Sequence, residues 1–488
     1  MAGKRHIKMD KKEIAWEVKR RRTYGEHLTP IEIFKKHILP EIKDIFYKYI
    51  WVDLYAGEGN LILPILDFIP LKTRIDFFKQ RIFLFDIQKE LVEKSIENAL
   101  KYGIPQEIAR KNIIQRDTIR DYPKFLFSKN SAIYHITNPP YLYIGYISKN
   151  IDTLHYLEYF KNENSGYQDL YQLCLMNDLR NGIKEMIYII PTNFLFGFSS
   201  ANKIRDDFLK FYNIKKAVIF EKEIFDFTGT NVGIFFFERK KEPENSVISF
   251  EGIKINKITR RKFYILKPAN HYRAGSEFGE FINDFKTNKP LKISYYLTKE
   301  EVDENKGDFQ LEVIDANDFI GTKYSKKHIF VNKSLIHKIV NNKLFIRTVD
   351  TGNINGRAGL YTIQEVFGVD GILVTKARYR THPIQVFIEP TLSPTVQILL
   401  RDYFNLVLEY FREEEDSEFL TTYKYSNSLY TRKYLGLSQT RQLIETFPIL
   451  SISEVEKGDL YYLVKTKSVE ELFNYLNKIN KRRLGLWG

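Results

Sequence analysis

The sequence predicts an α/β fold in which a mostly parallel sheet is covered on both faces by helices, followed by a second domain. Two observations lead to this prediction. Between about residues 29 and 239, short apolar runs rich in Ile, Val, Phe and Tyr alternate with amphipathic segments. Such alternation is typical of parallel strands joined by helical crossovers. The last two runs are too close together for a crossover, which predicts an antiparallel pair at the end of the sheet.

The predicted strands follow one another along the first half of the chain. They are Ile50–Asp53, Arg81–Asp86, Asn112–Arg116, Ala132–Thr137, Glu185–Pro191, Lys215–Phe220 and Val232–Phe237. Segments with helical periodicity lie between most of them, for example at Lys89–Tyr102 and Tyr167–Asn181. Only Glu221–Asn231 separates the final two runs, so these are the pair predicted to be antiparallel.

The length of 488 residues predicts more than one domain. The alternating pattern breaks at Glu238–Ser246, a stretch of charged and turn-forming residues. We therefore predict a basic N-terminal arm at 1–22, a first domain at 23–240 and a second, mixed α/β domain at 247–488.

Charge and composition narrow the classes of protein to consider. The net charge of +14 favours a polyanionic partner, because Lys and Arg at phosphates release condensed counterions. A single cysteine, Cys174, excludes an internal disulfide framework and a cysteine-rich zinc site. The N-terminus lacks the apolar core of a signal peptide, and apolar runs of about 18 residues are absent. We expect a cytoplasmic protein that has no membrane span and needs no metal.

Polar residues and glycines follow the first three predicted strands. The segment DLYAGEGN at 53–60 contains Gly57 and Gly59, which allow the backbone to approach a ligand closely or to form a structural tight turn. Asp86, at the end of the second strand, is placed to accept hydrogen bonds from ribose hydroxyls or to begin a helix. Asp117, after the third strand, is suited to accept from an adenine amino group or to cap a turn.

The fourth strand is followed by NPPY at 138–141, which is the most specific signal in the chain. Two prolines impose a rigid extended turn. The side-chain oxygen of Asn138 and the carbonyl of Pro139 can then face one exocyclic amino group. Two acceptors on such a planar amine would pull it toward tetrahedral geometry and direct its lone pair at a methyl donor. Tyr141 offers a flat surface on which a base can stack.

With these motifs in this order, the chain resembles the N6-adenine DNA methyltransferases of the class in which the cofactor half comes first, over about residues 20–240. The matching segments are GEHLTP at 25–30, DLYAGEG at 53–59, Asp86, Asp117, NPPY at 138–141, DLY at 169–171 and IPTNF at 190–194. Tyr55 departs from the usual glycine loop, where smaller or differently shaped residues are common.

The resemblance implies a Rossmann-like S-adenosylmethionine-dependent methyltransferase fold and assigns roles to the motif residues. S-adenosylmethionine is the implied cofactor, held by Thr29, Asp53, Gly57, Gly59, Asp86 and Asp117. The implied catalytic residues are Asn138, Pro139 and Tyr141. The implied substrate is double-stranded DNA, from which the target adenine flips out of the helix. A separately encoded restriction endonuclease is a possible partner.

The resemblance also suggests which aromatic residues stack on the flipped base. These are Tyr141 and Phe237, with Phe235 as the alternative on the same face of the strand. For either phenylalanine, a core aromatic of the strand is the interpretation that the sequence favours over base stacking.

The second half of the chain carries no catalytic motif, and the resemblance implies that it recognises the DNA sequence. Lys376, Arg378 and Arg380 alternate along a segment and are predicted to lie on one side of it. They would contact phosphates or guanine edges, although a solvated strand face has the same pattern.

Other activities share the tetrapeptide. A methyltransferase of a protein glutamine amide acts on a similar planar amine, and an RNA base is a further alternative substrate. Cytosine N4 is disfavoured because that class more often carries Ser in place of Asn138. A DNA-binding module with an inactive methyltransferase fold is disfavoured by the intact tetrapeptide and loop glycines.

Overall fold

The computed structural model describes residues 25, 28–129, 131–222, 224–225, 231–256, 258–350, 356–376, 383–416, 418–424 and 432–483. The chain forms two compact units, Met1–Ala274 and Gly275–Gly488. Each unit is described separately below.

In the described part of the first unit, nine strands form one sheet in the order β3-β2-β1-β4-β5-β7-β6-β8-β9. The strands are β1 Tyr49–Asp53, β2 Ile82–Asp86, β3 Ile113–Gln115, β4 Ala132–Thr137, β5 Glu185–Pro191, β6 Tyr212–Phe220, β7 Val232–Arg239, β8 Ile248–Ile255 and β9 Thr259–Leu266. All seven predicted strands are present. The predicted antiparallel pair is confirmed, because β7 runs antiparallel to β6 and also to β5.

The first five strands of the sheet are parallel to one another. Their order reverses between β1 and β4, since the chain first builds outward to β3 and then returns to the other side of β1. In doubly wound sheets, ligands bind outside the carboxyl ends of the strands at this reversal. The predicted doubly wound, mostly parallel architecture is confirmed.

Helices cover the sheet between the strands. The α-helices of the first unit are Ile31–Ile33, Leu39–Ile42, Leu71–Arg81, Lys89–Lys101, Gln106–Asn112, Ile144–Ile147, Leu170–Arg180, Asn193–Phe196 and Asn202–Leu209. A π-helix spans Phe34–Ile38, and 3-10 helices span Lys43–Lys48, Leu63–Phe68, Lys124–Ser128, Ile151–Phe160, Asn162–Asn164 and Pro268–Asn270. The two predicted helices agree with the observed ones to within three residues at each end.

The position of the domain boundary needs correction. The charged segment Glu238–Ser246 connects β7 and β8 of the same sheet, so it does not end the first unit. Strand β8 pairs in parallel with β6, and β9 closes the edge as its antiparallel partner. Phe250 and Leu266 from these strands are buried in the core of the first unit. The compact unit therefore extends to Ala274.

The second unit contains smaller sheets and longer helices, as far as its residues are described. Its sheets have the orders β10-β17-β14-β15, β11-β16-β12-β13 and β18-β19. The strands are β10 Lys292–Tyr295, β11 Leu297–Thr298, β12 Lys306–Ile320, β13 Lys323–Val331, β14 Leu344–Arg347, β15 Gly359–Thr362, β16 Gly371–Val374, β17 Ile384–Glu389, β18 Thr421–Lys424 and β19 Arg432–Tyr434. The helices are Glu277–Phe285, Lys299–Glu304, Lys333–Val340, Ile363–Phe367, Pro394–Glu414, Leu437–Ile444, Glu454–Thr466 and Val469–Arg483.

The mixed α/β character predicted for the second half is confirmed. Its longest described helix, Pro394–Glu414, begins with Ser393, whose side chain accepts a hydrogen bond from Val396 N at the first turn. One face of this helix is buried in the largest apolar cluster of the unit. Across the described ranges of both units, none of the helices is long and apolar enough to cross a membrane.

Candidate active site

Most of the predicted site residues of the first unit lie at the carboxyl ends of β1 to β4, around a cavity of about 990 Å³. This volume is at the upper end of the range typical of small-molecule sites. Five predicted residues line it, namely Gly57, Asp86, Asp117, Asn138 and Pro139. Two other predicted residues, Thr29 and Asp53, line a small adjoining space beside Asn138 together with Asn60. The sheet edge thus brings together residues more than 100 positions apart in sequence.

The glycine loop after β1 needs its glycines for two different reasons. Gly57 and Gly59 both have left-handed backbones, with φ of +56° and +80°. A Cβ on Gly59 would lie 2.6 Å from Leu63 Cδ1 and 2.8 Å from Ser95 Oγ, so this glycine allows the loop to pack on helix Lys89–Lys101. Gly57 instead lines the cavity and donates its backbone N–H to Asp86 Oδ2 at 2.9 Å.

Two aspartates on neighbouring strands face the cavity with fixed orientations. Asp86 accepts from Gly57 N and, through Oδ1, from Gln88 N at 2.8 Å. Asp117 Oδ1 accepts from the backbone N–H of Ile119 at 3.2 Å. Backbone N–H groups of nearby loops therefore hold both carboxylates, as expected for groups that orient a ligand.

Asp53 lies beneath the glycine loop and links two strands. Its Oδ1 accepts from Thr137 Oγ1 at 2.6 Å and from Tyr55 N at 3.0 Å. Burial raises the pKa of Asp53 to about 7. The hydrogen bond to Thr137 joins the end of β1 to the end of β4, one residue before the tetrapeptide.

The side chain of Asn138 is held at both ends of its amide. Its Nδ2 donates to Thr29 Oγ1 at 3.0 Å, and its Oδ1 accepts from the hydroxyl of Tyr141. The Tyr141 hydroxyl also lies 2.6 Å from the carbonyl oxygen of Ile189. Thr29 is in turn tied to the glycine loop, because its carbonyl accepts from Asn60 Nδ2 at 3.0 Å. Thr29 therefore connects the predicted cofactor loop with the predicted catalytic residue.

The backbone around residues 138–141 contacts one residue from earlier in the sequence and one from later in the sequence. Tyr141 N donates to Gly25 O at 3.1 Å, and a Cβ on Gly25 would lie 2.4 Å from Tyr141 O. Leu142 N donates to Asp169 Oδ1 at 2.8 Å. Burial raises the pKa of Asp169 to about 7. The matching segments around residues 25 and 169 thus act as supports for residues 138–141.

The structure does not bring Phe237 to this site, which corrects the expectation that it stacks on a base. Phe237 is 1% exposed and pairs with Met186, near the amino-terminal end of β5. Its ring packs against those of Phe194 and Phe208 in the core. Phe235 is equally buried. The aromatic residues that do line the cavity and that the sequence analysis missed are Tyr156 and Tyr159.

A buried polar network under the site was also missed. His135 Nε2 accepts from Leu54 N at 3.2 Å, so Nδ1 carries the proton and donates to Asp178 Oδ2. The hydroxyls of Tyr188 and Tyr122 donate to the same carboxylate at 2.6 and 2.8 Å. Part of the signal was available, since His135 is a polar residue within the apolar strand β4. The network joins β1, β4, β5 and helix Leu170–Arg180.

The residues predicted to bind DNA are only partly described. Lys376 is exposed in a bend after β16 of the second unit, and its backbone N–H lies 3.4 Å from Asn317 Oδ1. Arg378 and Arg380 fall outside the described residues, as does the predicted N-terminal arm at 1–22. The roles of all these residues in DNA binding remain predictions.

Solved structures with a similar fold include several restriction–modification proteins. A complex of DrdV with DNA is 13% identical over 55% of this chain and 34% of that chain, with a TM-score of 0.39. The modification subunit of a putative type I restriction enzyme from Vibrio vulnificus YJ016 is 14% identical over 71% and 61%, with a TM-score of 0.35. The Type IIL restriction–modification enzyme MmeI in complex with DNA is 12% identical over 98% and 78%, with a TM-score of 0.48. The chain thus spans less than two thirds of the first two of these proteins.

A comparison with curated proteins gives no match. In contrast, the profile of the N-6 DNA methylase family matches residues 18–327, which is more than half of the chain. The match includes every motif on which the resemblance was based. The resemblance predicted from the sequence is therefore confirmed, and the chain belongs to the N-6 DNA methylase family.

Proposed function

We propose that this protein transfers a methyl group from S-adenosylmethionine to N6 of adenine within a specific sequence of double-stranded DNA. The observation that carries the proposal is the fixed amide of Asn138 at the edge of the cavity. Its nitrogen is used by Thr29, so its oxygen is the atom that can accept a hydrogen bond from a substrate. Family membership agrees with this chemistry.

The cavity fits an adenosyl cofactor. Asp86 is oriented to accept from ribose hydroxyls and Asp117 from an adenine amino group. Gly57 allows the ligand to approach the backbone, and Thr29 and Asp53 lie toward Asn138, where the methionine end would bind. When bound, S-adenosylmethionine supplies an electrophilic methyl group on a sulfonium. Asn138 therefore lies at the end of the cavity where transfer would occur.

Asn138 and Pro139 would prepare the acceptor amine. The exocyclic amine of adenine is a weak nucleophile because its lone pair is delocalised into the ring. Acceptance of its two hydrogens by Asn138 Oδ1 and the Pro139 carbonyl localises that lone pair. Asn138 Oδ1 already accepts a hydrogen bond from the Tyr141 hydroxyl. When the substrate binds, this oxygen must either accept from both groups or lose its contact with Tyr141. Positioning, rather than acid–base chemistry, is the main demand on these residues.

The target adenine must leave the duplex, because N6 inside the base stack is out of reach of a site in a cavity. Tyr141 would provide the stacking surface for the extruded base. The second unit would supply sequence recognition, and the excess positive charge of the chain suits a DNA backbone. We further propose that the protein is the modification enzyme of a restriction–modification system, acts in the cytoplasm and is paired with a separate endonuclease.

The direct test is methylation-sensitive sequencing of DNA from cells that express this chain alone. The expected result is N6-methyladenine at one recurring sequence. Unmodified DNA, together with methylation of a protein glutamine or of RNA by the purified chain, would contradict the proposal.

The role of Asn138 is tested by Asn138→Ala in single-turnover methylation of a duplex that contains the sequence. Loss of one fixed hydrogen-bonding group at a reacting centre typically lowers the rate by about 10²–10³. Cofactor and duplex affinities should stay within a few-fold of those of the unmodified protein. Asn181→Ala is the matched control, since this amide donates to Asn177 O at 2.8 Å at a helix end. A rate within a few-fold of the original would remove Asn138 from the chemistry.

A further inference from the structure

One wall of the cavity is formed by the 3-10 segment Ile151–Phe160, to which the sequence analysis gave no function. Tyr156 and Tyr159 of this segment line the cavity, and each is only 8% exposed. The segment is anchored at both ends. Thr153 Oγ1 donates to Asn150 O at 2.9 Å, and Asn164 Nδ2 donates to Tyr159 O at 2.8 Å. Its aromatic side chains are therefore presented to the cavity by a supported backbone.

Tyr159 makes a specific contact with one of the predicted cofactor residues. Its hydroxyl donates to Asp117 Oδ2 at 2.7 Å. The other oxygen, Oδ1, accepts from the N–H groups of Ile119 at 3.2 Å and Arg120 at 3.3 Å. The guanidinium of Arg120 lies 4.8 Å from the centre of the Tyr159 ring. Burial, followed by the hydrogen bond to Asp117, raises the pKa of Tyr159, so the hydroxyl keeps its proton and acts as the donor.

Three hydrogen-bond donors, together with the Arg120 guanidinium whose Nε lies 3.7 Å from Oδ2, thus determine how the Asp117 carboxylate faces the cavity. A carboxylate has about four acceptor positions, so one further donor can be accepted from a ligand. The amino group at position 6 of adenine is such a donor. A 6-oxo purine presents an oxygen at the same place, which the carboxylate would repel. Discrimination between the two depends on the orientation of Asp117, since a rotated carboxylate would no longer meet the purine edge.

We propose that Tyr159 is a positioning residue for the cofactor, which holds Asp117 so that the carboxylate selects a 6-amino purine. The wall Ile151–Phe160 then forms the adenine end of the cofactor site. This inference rests on the proposed function, because it takes the adenosyl group as the ligand. It adds a residue more than 40 positions from Asp117 in sequence, on an element outside the predicted strand ends.

The test is isothermal titration calorimetry on the full chain with two ligands, S-adenosylhomocysteine and its 6-oxo analogue S-inosylhomocysteine. Tyr159→Phe removes the donor but keeps the ring. We expect this variant to bind S-adenosylhomocysteine about tenfold more weakly than the unmodified protein does, because a hydrogen bond to a charged group is lost. The 6-oxo analogue should bind the unmodified protein more weakly than S-adenosylhomocysteine does. Its affinity for the variant should stay within twofold of its affinity for the unmodified protein. The matched control is Tyr167→Phe. The Tyr167 hydroxyl donates to Asp207 Oδ2 at 2.8 Å without lining the cavity, so neither affinity should change.

Asp117→Asn provides a second route if Tyr159→Phe is destabilised. It should reduce the preference for the 6-amino ligand, and an unchanged preference in this variant would overturn the inference. Where Tyr159→Phe is folded, adding it to Asp117→Asn should cause no further loss of affinity. Equal weakening of both ligands by Tyr159→Phe would show a merely structural role and overturn the inference. Unchanged binding of S-adenosylhomocysteine by Tyr159→Phe would overturn it too. If the unmodified protein binds neither ligand, the proposed cofactor is wrong. That result would contradict the proposed function and is distinguishable from a failure of the inference about Tyr159.

Discussion

The candidate functional residues of the two units differ in how they are held. In the first unit, short motifs at strand ends converge on one cavity, and buried hydrogen bonds hold each important side chain in one orientation. In the second unit, the described basic candidate Lys376 lies exposed in a bend, and its backbone N–H lies 3.4 Å from Asn317 Oδ1. A reaction needs atoms fixed relative to one another, whereas attraction to a DNA backbone needs only accessible charge. Under the proposed function, the chemistry can be predicted from local motifs, whereas recognition would depend on surface residues that no motif identifies.

Separation of the units is expected to have the largest effect. A fragment that ends at Ala274 should keep its affinity for S-adenosylhomocysteine within a few-fold and lose tight duplex binding by at least about 10³, the usual excess of specific over non-specific affinity. Calorimetry and gel-shift titration measure the two affinities. Site-specific methylation by this fragment would show that recognition lies in the first unit.

A shorter fragment that ends at residue 245 is the control for the boundary. It lacks β8 and β9, so β6 loses its parallel partner and the core loses Phe250 and Leu266. We expect this fragment to be unstable in thermal unfolding followed by circular dichroism. A cooperative transition like that of the longer fragment would argue for the boundary at Glu238–Ser246.

The burial of the Asp53 carboxyl under the glycine loop is tested by Asp53→Asn. The pKa of Asp53 is about 7 in the folded protein, compared with about 3.9 in an unfolded chain. Between these pH values the unfolded carboxyl is ionised while the buried one keeps its proton, so the free energy of unfolding falls as pH rises. The loss is about 1.4 kcal/mol per pH unit and ends near pH 7.

Asparagine does not titrate, so the stability of Asp53→Asn relative to the unmodified protein should increase by about 2 kcal/mol from pH 5 to pH 7 and change little above pH 7. Urea unfolding at pH 5, 6, 7 and 8 measures the difference. Asp169, whose pKa burial also raises to about 7, is present in both proteins and cancels. A difference that does not vary with pH would mean that Asp53 is ionised in the folded state.

The cofactor edge of the first unit is tested by Asp86→Ala. The variant removes the carboxylate that lines the cavity and that orients Gly57 N. We expect S-adenosylhomocysteine binding to weaken by about 1–3 kcal/mol, the usual contribution of hydrogen bonds to a charged group. Asp67→Ala, an exposed aspartate of the same unit, is the control for calorimetry. Unchanged affinity in a folded Asp86→Ala protein would remove this residue from the site.

The smallest effect is expected in the second unit. Lys376→Ala should weaken duplex binding by less than about 1 kcal/mol and reduce the slope of affinity against salt concentration by about 1, if its charge contacts a phosphate. Gel shifts at several salt concentrations measure the slope. Lys478→Ala, an exposed lysine of a helix in the same unit, is the control. Equal slopes for the two variants would mean that Lys376 lies outside the DNA contact.

Most of the first sheet could be predicted, because periodicity and strand length are local properties. β4 and β5 have the predicted bounds, and the antiparallel β7 follows from the short connection before it. The predicted boundary was wrong because a charged connection looks the same whether it joins two strands of one sheet or two domains. Only the pairing of β8 with β6 distinguishes these cases.

The sequence by itself determined which chemistry is present, since Asn138, Asp86 and the loop glycines follow strands whose ends meet at one edge. Tertiary structure alone decided how these groups are held. The contacts between Tyr159 and Asp117 and between His135 and Asp178 join residues 42 and 43 positions apart, and they depend on where helices and loops pack. It also decided that Phe237 belongs to the core. Alternation along a strand indicates which residues share a face, but the burial of that face depends on the elements packed against it.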